Sequence, residues 1–402
     1  MSQDSVDVLV AGGGPGGLAA AEAAARSGCS VLVLEAGKEI GSPTRTSGGS
    51  FIAELKALGI PDHLYHPIWR CRFLSPSNAA RFDYDEPGAC VIDVRGVFQH
   101  LAERAIDAGA RIRVNTTALD PVMEDGRVIG VALKNSDAIR SRVLIDATGH
   151  RAALLKLAGV HAGHERFGVG SEYDMYAPNC DQDEAVFVVG SQVAPAGYAW
   201  VFPWGRQRVR VGVGIIHPDS ADHPDAYLDR LVANASEFGV DLRGAQPVEY
   251  HYGLIPSDGL PECFVGDGIL GVGDAAGQPS QLVGEGIRWA ILAGKAAGTV
   301  AAEAVAAGDV SRKFLMRYQT QWEAEFGVNL RIAYEINKRI AGYADEQWDQ
   351  KVELLKLLTP EQFGRAMQTN FEVSWVAKLL WTHPSLLKHG FRMVAEKLGM
   401  HS

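Results

Sequence analysis

Three glycines near the N-terminus are spaced for binding a pyrophosphate. Residues 7–36 read DVLVAGGGPGGLAAAEAAARSGCSVLVLEA and contain Gly12-x-Gly14-x-x-Gly17, with Pro15 and Gly16 in the turn. The first glycine permits a tight turn, the second lets the backbone approach the phosphates, and the third lets the helix pack on the strand. Free N–H groups at the start of that helix then meet the pyrophosphate. The pattern therefore predicts a dinucleotide site.

An acidic residue indicates which dinucleotides suit this site. Glu35, followed by Ala36, ends the second apolar run about 20 residues after the glycines. A carboxylate at this point accepts a hydrogen bond from a ribose hydroxyl and disfavours a 2′-phosphate. The sequence here favours FAD or NAD over NADP.

A second glycine-rich segment decides between FAD and NAD. Residues 268–291 read GILGVGDAAGQPSQLVGEGIRWAI, which is a strand, then Gly273-Asp274, then a loop that opens a helix. This segment resembles the second FAD fingerprint of p-hydroxybenzoate hydroxylase-type flavoproteins. The resemblance implies that Asp274 binds the ribityl chain and that Gly284, Gly286 and Ile287 lie beside the flavin pyrimidine ring. A helix N-terminus there would stabilise anionic reduced flavin; the alternative is a structural turn capped by Asp274.

Three motifs together resemble the geranylgeranyl reductase family, which includes the archaeal digeranylgeranylglycerophospholipid reductases. They are EIGSPTRTSGG at residues 39–49, GYAWVFPWG at residues 197–205 and GDAAGQPSQLVGEGI at residues 273–287. The likeness extends to about residue 307 and continues weakly around Tyr318-x-x-x-Trp322. Related flavin-dependent halogenases carry a similar Trp-x-Trp-x-Ile-Pro element.

The resemblance implies a substrate wall and further FAD contacts. Alternation along a strand puts Tyr198, Trp200 and Phe202 on one face, and with Trp204 they would line an apolar cavity that aromatic rings keep rigid and dry. Core packing is the alternative for this strand. The resemblance also assigns to FAD these residues: Arg45 near the pyrophosphate, Arg95 in IDVRGVFQHL, Gly149 in IDATGH, and Ala118. For Arg95 the alternative is a plain surface arginine.

The chain departs from the family at one candidate catalytic position. The archaeal members carry a cysteine after the arginine that corresponds to Arg45, whereas this chain has Thr46 and then Ser47. A redox or catalytic role of that cysteine therefore does not carry over. The hydroxyls of Thr46 and Ser47 would instead donate hydrogen bonds to substrate or flavin. With Tyr198 and Trp200 they are the candidate catalytic residues.

Composition and charge narrow the class of protein. A chain of 402 residues is long enough for two or three domains. Its net charge of −10 argues against binding nucleic acid. The five cysteines are scattered without a CxxC pair, so neither a disulfide framework nor a metal site is expected and a reducing cytoplasm fits.

No signal peptide or membrane-spanning segment is expected. The first residues lack a basic region, and they lead directly into an apolar strand. The uncharged residues 185–205 contain Pro195, Gly197 and Pro203, which favour strand, loop and strand over a spanning helix. We expect a cytoplasmic protein.

The pattern of elements predicts an α/β protein with three units. We expect a discontinuous Rossmann-like FAD-binding domain, a domain of antiparallel β-sheet for the substrate, and a C-terminal helical region. The hairpin between residues 198–203 and 209–216, turning at Gly205-Arg206-Gln207, is the clearest sign of the antiparallel sheet. The predicted boundaries are 1–50, 90–160 and 262–310 for FAD, 51–89 and 161–261 for substrate, and 311–402 for the helices.

The C-terminal tail raises the question of membrane contact. FEVSWVAKLLW at residues 371–381 puts Phe371, Trp375 and Leu379 on one helical stripe, and Lys378, Lys388, Arg392 and Lys397 make this region basic. An aromatic, basic amphipathic helix suits peripheral membrane contact or delivery of a lipid. A helical cap on the substrate domain is the favoured alternative.

The leading hypothesis is an FAD-dependent oxidoreductase related to geranylgeranyl reductases. Reduced flavin would transfer hydride to an alkene of an isoprenoid or similar apolar molecule, after NAD(P)H or another transient donor has supplied the electrons. A second hypothesis is a monooxygenase or halogenase acting on an aromatic or polyketide-type compound, and a third is a non-catalytic redox sensor or assembly protein. The substrate's identity, the donor and the oligomeric state are left open by the sequence.

Overall fold

The computed structural model describes residues 5–372 and 374–376. Within these residues the helices are α1 (Pro15–Arg26), α2 (Ile52–Ala57), α3 (Val94–Asp107), α4 (Ala153–Leu157), α5 (Pro224–Ala233), α6 (Ile287–Ala307), α7 (Arg312–Ala341), α8 (Asp345–Leu355) and α9 (Pro360–Met367). The strands before residue 150 are β1 (Ser5–Ala11), β2 (Val31–Leu34), β3 (Gly49–Phe51), β4 (Tyr65–Ile68), β5 (Arg70–Leu74), β6 (Ala79–Asp83), β7 (Ala89–Ile92), β8 (Arg111–Arg113), β9 (Ala118–Glu124), β10 (Arg127–Leu133) and β11 (Ile139–Asp146). The later strands are β12 (Phe167–Tyr176), β13 (Glu184–Gly190), β14 (Ala194–Gly205), β15 (Arg208–His217), β16 (Gln246–Pro256), β17 (Val265–Gly266) and β18 (Ile269–Gly271).

The first sheet is built around a parallel core. Strands β18, β11, β1, β2 and β8 lie side by side in that order and run parallel, β17 pairs with β18, and β10 and β9 extend from β11. Strand β2 is buried over its whole length and β1 is buried from Val8 to Ala11, as continuous apolar runs such as VLVL in β2 predict. The carboxyl ends of β1 and β2 lead into the glycine turn and Glu35, which is where a doubly wound sheet binds its ligand.

The second sheet follows the order β16, β12, β15, β14, β13, β5 and β6, and its pairs are antiparallel except for the parallel pair of β13 and β5. The predicted hairpin forms between β14 and β15, with Arg206 and Gln207 at positive φ in its turn. Residues 185–205 are strand, turn and strand, as expected. The predicted fold class therefore agrees with the structure.

A small third sheet joins β3, β7 and β4 in antiparallel pairs. It brings residues 49–51 and 65–68 together with residues 89–92, so it crosses two of the predicted domain boundaries. Those boundaries stay a prediction.

Helices α1 and α6 pack at very close range on the parallel sheet. A Cβ on Gly294 would lie 2.1 Å from the carbonyl oxygen of Gly16, and one on Gly298 would lie 2.2 Å from that of Ala20. Glycine and alanine therefore form this contact, which fixes two helix N-termini near the same sheet edge. One described helix, α6, is long and apolar enough to cross a membrane, yet 61% of its apolar stretch is buried in the protein. A buried core helix meets the same criterion.

Helices α7, α8 and α9 cover the second sheet. Phe363 of α9 stacks on Phe82 of β6 with ring centroids 4.0 Å apart, and Trp348 of α8 lies against Phe73 of β5. Phe371 and Trp375 are buried beside α7 residues, which fits a cap on the protein. Leu379 and the basic residues of the predicted membrane-contact stripe lie outside the described residues.

Candidate active site

The first glycine turn has the shape that a pyrophosphate requires. Gly12 has φ +119°, and a Cβ there would lie 2.1 Å from the carbonyl oxygen of Ala147. A Cβ on Gly17 would lie 2.1 Å from the carbonyl oxygen of Gly12, so the turn closes only with glycine at both positions. A Cβ on Gly14, by contrast, would meet no protein atom within 4 Å. The open space beside Gly14, before α1, is where the phosphates would bind.

The predicted ribose contact is held in place by the glycine turn itself. The Glu35 carboxylate accepts hydrogen bonds from the backbone N–H groups of Gly13 (2.8 Å) and Gly37 (2.6 Å). Exposed Ala36 lies beside it, and Thr116, two residues before Ala118, donates its N–H to the carbonyl of Glu35. The carboxylate keeps lone pairs for a ribose hydroxyl, so these residues fit the adenosine end of FAD.

The loop of the second glycine-rich segment lies next to the first glycine turn at the start of α6. Gly273 has φ +63°, and a Cβ on Gly286 would lie 3.6 Å from Oδ1 of Asp274. Among the described residues the Asp274 carboxylate accepts no protein hydrogen bond, and Gly286 and Ile287 begin α6 with its N–H groups free of a side-chain cap. A ribityl hydroxyl would satisfy this carboxylate, and the helix N-terminus suits an anionic ring. The donor set therefore fits FAD.

We expect Asp274→Asn to stabilise the flavin-free protein at pH 7 while weakening its affinity for FAD. Burial raises the pKa of Asp274 to about 6, although the charge of His164 opposes the rise. A raised carboxyl pKa makes the folded protein bind a proton that the unfolded chain releases, so the charged form disfavours folding above about pH 6. The gain in melting temperature should shrink as the pH falls below 6 and vanish near pH 3, because below the unfolded pKa of about 3.9 this carboxyl is largely protonated in both folded and unfolded chains.

Melting temperatures of flavin-free wild type and variant at pH 7 and pH 3 check this. Asp258→Asn is the contrasting control. Burial raises the pKa of Asp258, but the hydrogen bond from His164 and the charge of His164 lower it, and with the backbone hydrogen bonds they outweigh burial, so the pKa is lowered overall. That variant should be less stable than wild type at pH 7. Equal melting temperatures of Asp274→Asn and wild type at pH 7 would contradict the expected penalty.

A buried ion pair fixes the loop that would face the flavin ring. Arg288 donates to Glu285 at 2.7 Å, and both side chains are almost fully buried. Ser50 Oγ donates to the same carboxylate at 3.2 Å, while Arg288 also donates to the carbonyl of Gln368. Gly284, with φ +65°, lies just before this pair. This pair was not predicted, although an acid and an arginine three residues apart in GEGIR are its sequence signal.

A cavity of about 340 Å³ lies between the second sheet and the C-terminal helices. The sheet contributes Tyr198 and Trp200, and the helices contribute Ile340, Trp348 and Phe363. A second cavity of about 130 Å³ reaches Phe202, Gly286 and Ile287. The two cavities share these lining residues: Thr46, Ser47, Phe187, Tyr198, Val283, Gly284, Phe363 and Met367.

Trp200 rests on a floor made of glycines. A Cβ on Gly212 would lie 2.3 Å from Cζ2 of the indole, and the rings of Trp200 also pass over Gly214 and Gly170. The indole Nε1 donates to Glu172 at 2.7 Å. The glycine spacing in VRVGVGII, two residues apart, puts the floor on one face of β15. This spacing is the sequence signal that could have predicted the contact of these glycines with the Trp200 indole.

The carboxylate under Trp200 belongs to a charged group. His251 Nδ1 lies 2.8 Å from Glu172 and its Nε2 lies 3.1 Å from Glu249. Burial lowers the pKa of His251, but the hydrogen bonds to the two glutamates raise it overall. The imidazolium form donates to both carboxylates, which holds Glu172 in place as the acceptor for Trp200. No local pattern in the sequence indicates Glu172 or His251 as part of the site.

Tyr198 connects the sheet with the loop before α6. Its hydroxyl donates to the carbonyl of Val283 at 2.6 Å, and a Cβ on Gly284 would lie 3.7 Å from the same oxygen. Burial raises the pKa of Tyr198. The raised pKa makes Tyr198 a weak acid, and its proton is already donated to the carbonyl of Val283. The geometry therefore favours a role in positioning the loop at Gly284 over donation of a proton to substrate.

The remaining candidates fall into two groups. Arg45, Thr46 and Ser47 line the larger cavity, and Gly253 lets β16 approach the carbonyl of Arg45. Arg95 forms an ion pair with Glu39 beside the glycine turn, and Gly149, with φ +74°, follows the loop that Asp146 holds through its hydrogen bonds. Arg45, Thr46 and Ser47 thus share a cavity with Gly284 of the second glycine-rich loop.

Trp204 lies apart from the others. It lines neither of the two cavities, its Nε1 donates to Asp174 at 3.2 Å, and the Arg210 guanidinium stacks 4.7 Å from its ring centroid. The strand alternation that predicted a substrate contact continues through Trp204, but β15 supplies two arginines at this end of the sheet. The structure thus gives Trp204 a packing role instead of a place in either cavity.

Comparisons with known proteins identify the family of this chain. The model of the FAD dependent oxidoreductase family matches residues 7–232. Digeranylgeranylglycerophospholipid reductase 2 of Methanopyrus kandleri is 34% identical over 95% of this chain and 98% of its own length. Its namesake in Methanothermobacter thermautotrophicus is 32% identical over 95% of this chain and 98% of its own length.

A solved structure has the same overall fold. The geranylgeranyl bacteriochlorophyll reductase-like protein of Thermoplasma acidophilum superposes with a TM-score of 0.85 and 27% identity, covering 96% of this chain and 98% of that one. The family predicted from the three motifs is confirmed. The chain is an FAD-dependent oxidoreductase and belongs to the geranylgeranyl reductase family that includes the digeranylgeranylglycerophospholipid reductases.

Proposed function

We propose that this oxidoreductase reduces carbon–carbon double bonds in the prenyl chains of an isoprenoid lipid. The observation that carries the proposal is the larger cavity, which is walled by Tyr198, Trp200 and apolar side chains of α7, α8 and α9 and reaches the loop at Gly284. Such a lining binds a hydrocarbon chain by removing apolar surface from water. The names of the relatives place their own substrate in the same chemical class.

In the proposed reaction FAD provides the redox chemistry and the protein positions the alkene. Bound FAD in its reduced form would supply a hydride to one alkene carbon, a proton would be added to the other carbon, and NAD(P)H or another transient donor would restore the reduced state. The chain's residues hold the alkene against the loop at Gly284 and keep water out. Trp200, fixed by Glu172, forms one wall, while the hydroxyls of Thr46 and Ser47 stand where the two cavities meet. We propose that these hydroxyls orient the reacting part of the chain, without the family's cysteine.

An oxygenating or halogenating reaction has less support. A halogenase would need a lysine between flavin and substrate. Among the described residues that line the two cavities the lysine is Lys351 of α8, which lines the larger cavity and not the smaller one that reaches Gly286 and Ile287. The reductase hypothesis therefore takes precedence.

The test is to reduce the holoenzyme without oxygen and mix it separately with a geranylgeranyl lipid and with air. We expect the lipid to restore the visible absorbance of oxidised flavin and to gain one H2 per reduced double bond, as seen by mass spectrometry. The proposal is wrong if the lipid leaves the flavin reduced, and a product carrying oxygen or halogen after exposure to air would establish the alternative chemistry. A geranylgeranyl lipid whose double bonds are already saturated is the matched control.

A further inference from the structure

Three titratable side chains form a hydrogen-bonded line from the protein surface to the larger cavity. The side chain of Glu249 on β16 is 55% exposed, whereas those of His251 on β16 and Glu172 on β12 are each 4% exposed. His251 Nε2 lies 3.1 Å from Glu249, and its Nδ1 lies 2.8 Å from Glu172. Both buried side chains line the cavity. The line therefore connects solvent with the cavity wall.

The strand register puts the inner end of this line beside the proposed reaction site. Glu172 and His251 are directly paired across β12 and β16, and the same row continues across β15 to Trp200 of β14. The next residue on that face of β16 is Gly253, which lets the backbone at Arg45 approach. The inner end of the line thus lies by the aromatic wall, near the loop that begins at Arg45.

The charged groups around His251 favour its protonated form. Burial lowers the pKa of His251, but the hydrogen bonds to the two glutamates raise it overall, against the opposing charge of Arg210 on β15. Arg208 on the same strand lies 3.9 Å from Glu249, and Asp174 of β12 pairs with both arginines. An imidazolium therefore stands at the wall of a largely apolar cavity.

Support of the Trp200 indole does not require these charges. A neutral amide could accept the hydrogen bond of the indole equally well, whereas burying a carboxylate and an imidazolium costs free energy of desolvation. A side chain that must pass a proton, by contrast, has to be titratable. The composition of the line suits proton transfer better than packing.

Reduction of an alkene needs such a proton source. Resting on the proposed function, we propose that Glu172 donates a proton to the alkene and that His251 and Glu249 resupply it from solvent. The hydride from reduced flavin brings the electron pair for one new C–H bond, and the π electrons of the alkene bind the proton in the other. The Nδ1 proton of His251 moves to Glu172, and solvent returns a proton to Nε2 by way of Glu249. One hydride and one proton are added, and the three side chains end as they began.

Glu172→Gln separates proton donation from support of the wall, because its amide oxygen can still accept from Trp200 while the side chain cannot pass a proton. The anaerobically reduced holoenzyme is mixed with a geranylgeranyl lipid, and the absorbance of oxidised flavin is followed through one turnover. We expect reoxidation about 100-fold slower than in wild type, since general acids contribute roughly 10²–10⁴-fold. FAD content, lipid binding to the oxidised holoenzyme and near-ultraviolet circular dichroism should stay unchanged.

His251→Ala and Glu249→Gln test the resupply of the proton. His251→Ala should be slow, and added imidazole should restore its rate, because the missing ring lies next to exposed Glu249. Reoxidation that needs the imidazolium is full below the pKa of His251 and falls as the pH rises through it. Glu249→Gln removes a hydrogen bond that raises this pKa, so the fall should move to lower pH.

Asp83→Asn is the matched control, since Asp83 is an exposed carboxylate of the same sheet that pairs with Arg81 and lines neither of the two cavities. It should match wild type in rate and pH dependence. If Glu172→Gln reoxidises like wild type, or if imidazole leaves His251→Ala slow, the proton comes from elsewhere and the inference is wrong. A change of lipid binding or circular dichroism in Glu172→Gln would reduce the group to a support of Trp200. If the lipid leaves wild type reduced, the proposed function falls as well.

Discussion

Gly14→Val should yield a folded protein without flavin, with affinity for FAD reduced about 100-fold or more, equivalent to about 3 kcal/mol. The reason lies in the contrast between the three fingerprint glycines. A Cβ at Gly12 or Gly17 would collide with backbone atoms at 2.1 Å, so substitutions there disturb the fold itself. A Cβ at Gly14 meets no protein atom within 4 Å, and its φ of −78° is open to any residue. Only a ligand in that space would meet the valine.

The measurement is the ratio of visible flavin absorbance to protein absorbance after purification, followed by titration of FAD into the flavin-free variant. Far-ultraviolet circular dichroism reports whether the fold persists. Gly342→Val is the matched control, because Gly342 is an exposed glycine with φ −95° after α7, remote from both glycine loops. It should keep its flavin. Full flavin content in Gly14→Val would show that the cofactor's phosphates lie elsewhere.

The two glycine loops and the aromatic strand could be predicted from the sequence, because each is formed by residues close together in the chain. Gly12, Gly14 and Gly17 lie within one turn, so their spacing indicates their place. Gly284, Gly286 and Ile287 lie within one loop, so the resemblance of a short segment to a flavoprotein fingerprint was enough to select them. Tyr198, Trp200 and Phe202 share a strand face for the same reason. In each case a short stretch of chain carries the geometry.

Other parts arise only when distant segments meet. Glu172 and His251 are 79 residues apart and become partners because β12 pairs with β16. The cavity has a second wall only because α7, α8 and α9 return over the sheet, which an amphipathic tail does not specify. Trp204 is the opposite case. The alternation along β14 predicted a substrate contact for it, but Arg208 and Arg210 of β15 lie over its ring. Pairing across strands, and not local pattern, determines these environments.

Gly212→Ala should reduce turnover about 100-fold while FAD binding stays near that of wild type. The new Cβ would lie 2.3 Å from Cζ2 and 2.4 Å from Cε2 of Trp200, so the indole must leave its place and lose its hydrogen bond to Glu172. A wall displaced by about 1 Å is enough to cost roughly 100-fold in rate when orientation controls the reaction. Forcing extra volume into the packed sheet should also destabilise the protein by roughly 1–3 kcal/mol.

A double-mutant cycle separates this mechanism from general damage to the sheet. Trp200→Ala alone should lower turnover as strongly as Gly212→Ala, again with FAD retained, because both remove the same wall. The double variant should then be no worse than Trp200→Ala, since alanine at position 212 has no indole left to displace. Turnover of the reduced holoenzyme with a geranylgeranyl lipid, flavin content and the unfolding midpoint are measured for all four proteins.

Gly170→Ala provides the steric comparison, because its Cβ would lie at an ordinary 3.7 Å from Cη2 of the same indole. Its unfolding midpoint and near-ultraviolet circular dichroism should match those of wild type, whereas Gly212→Ala should change both. If Gly212→Ala and Trp200→Ala combine additively, the glycine acts on something other than the indole. If Trp200→Ala turns over like wild type, the aromatic strand is core and the alkene lies against another wall of the cavity.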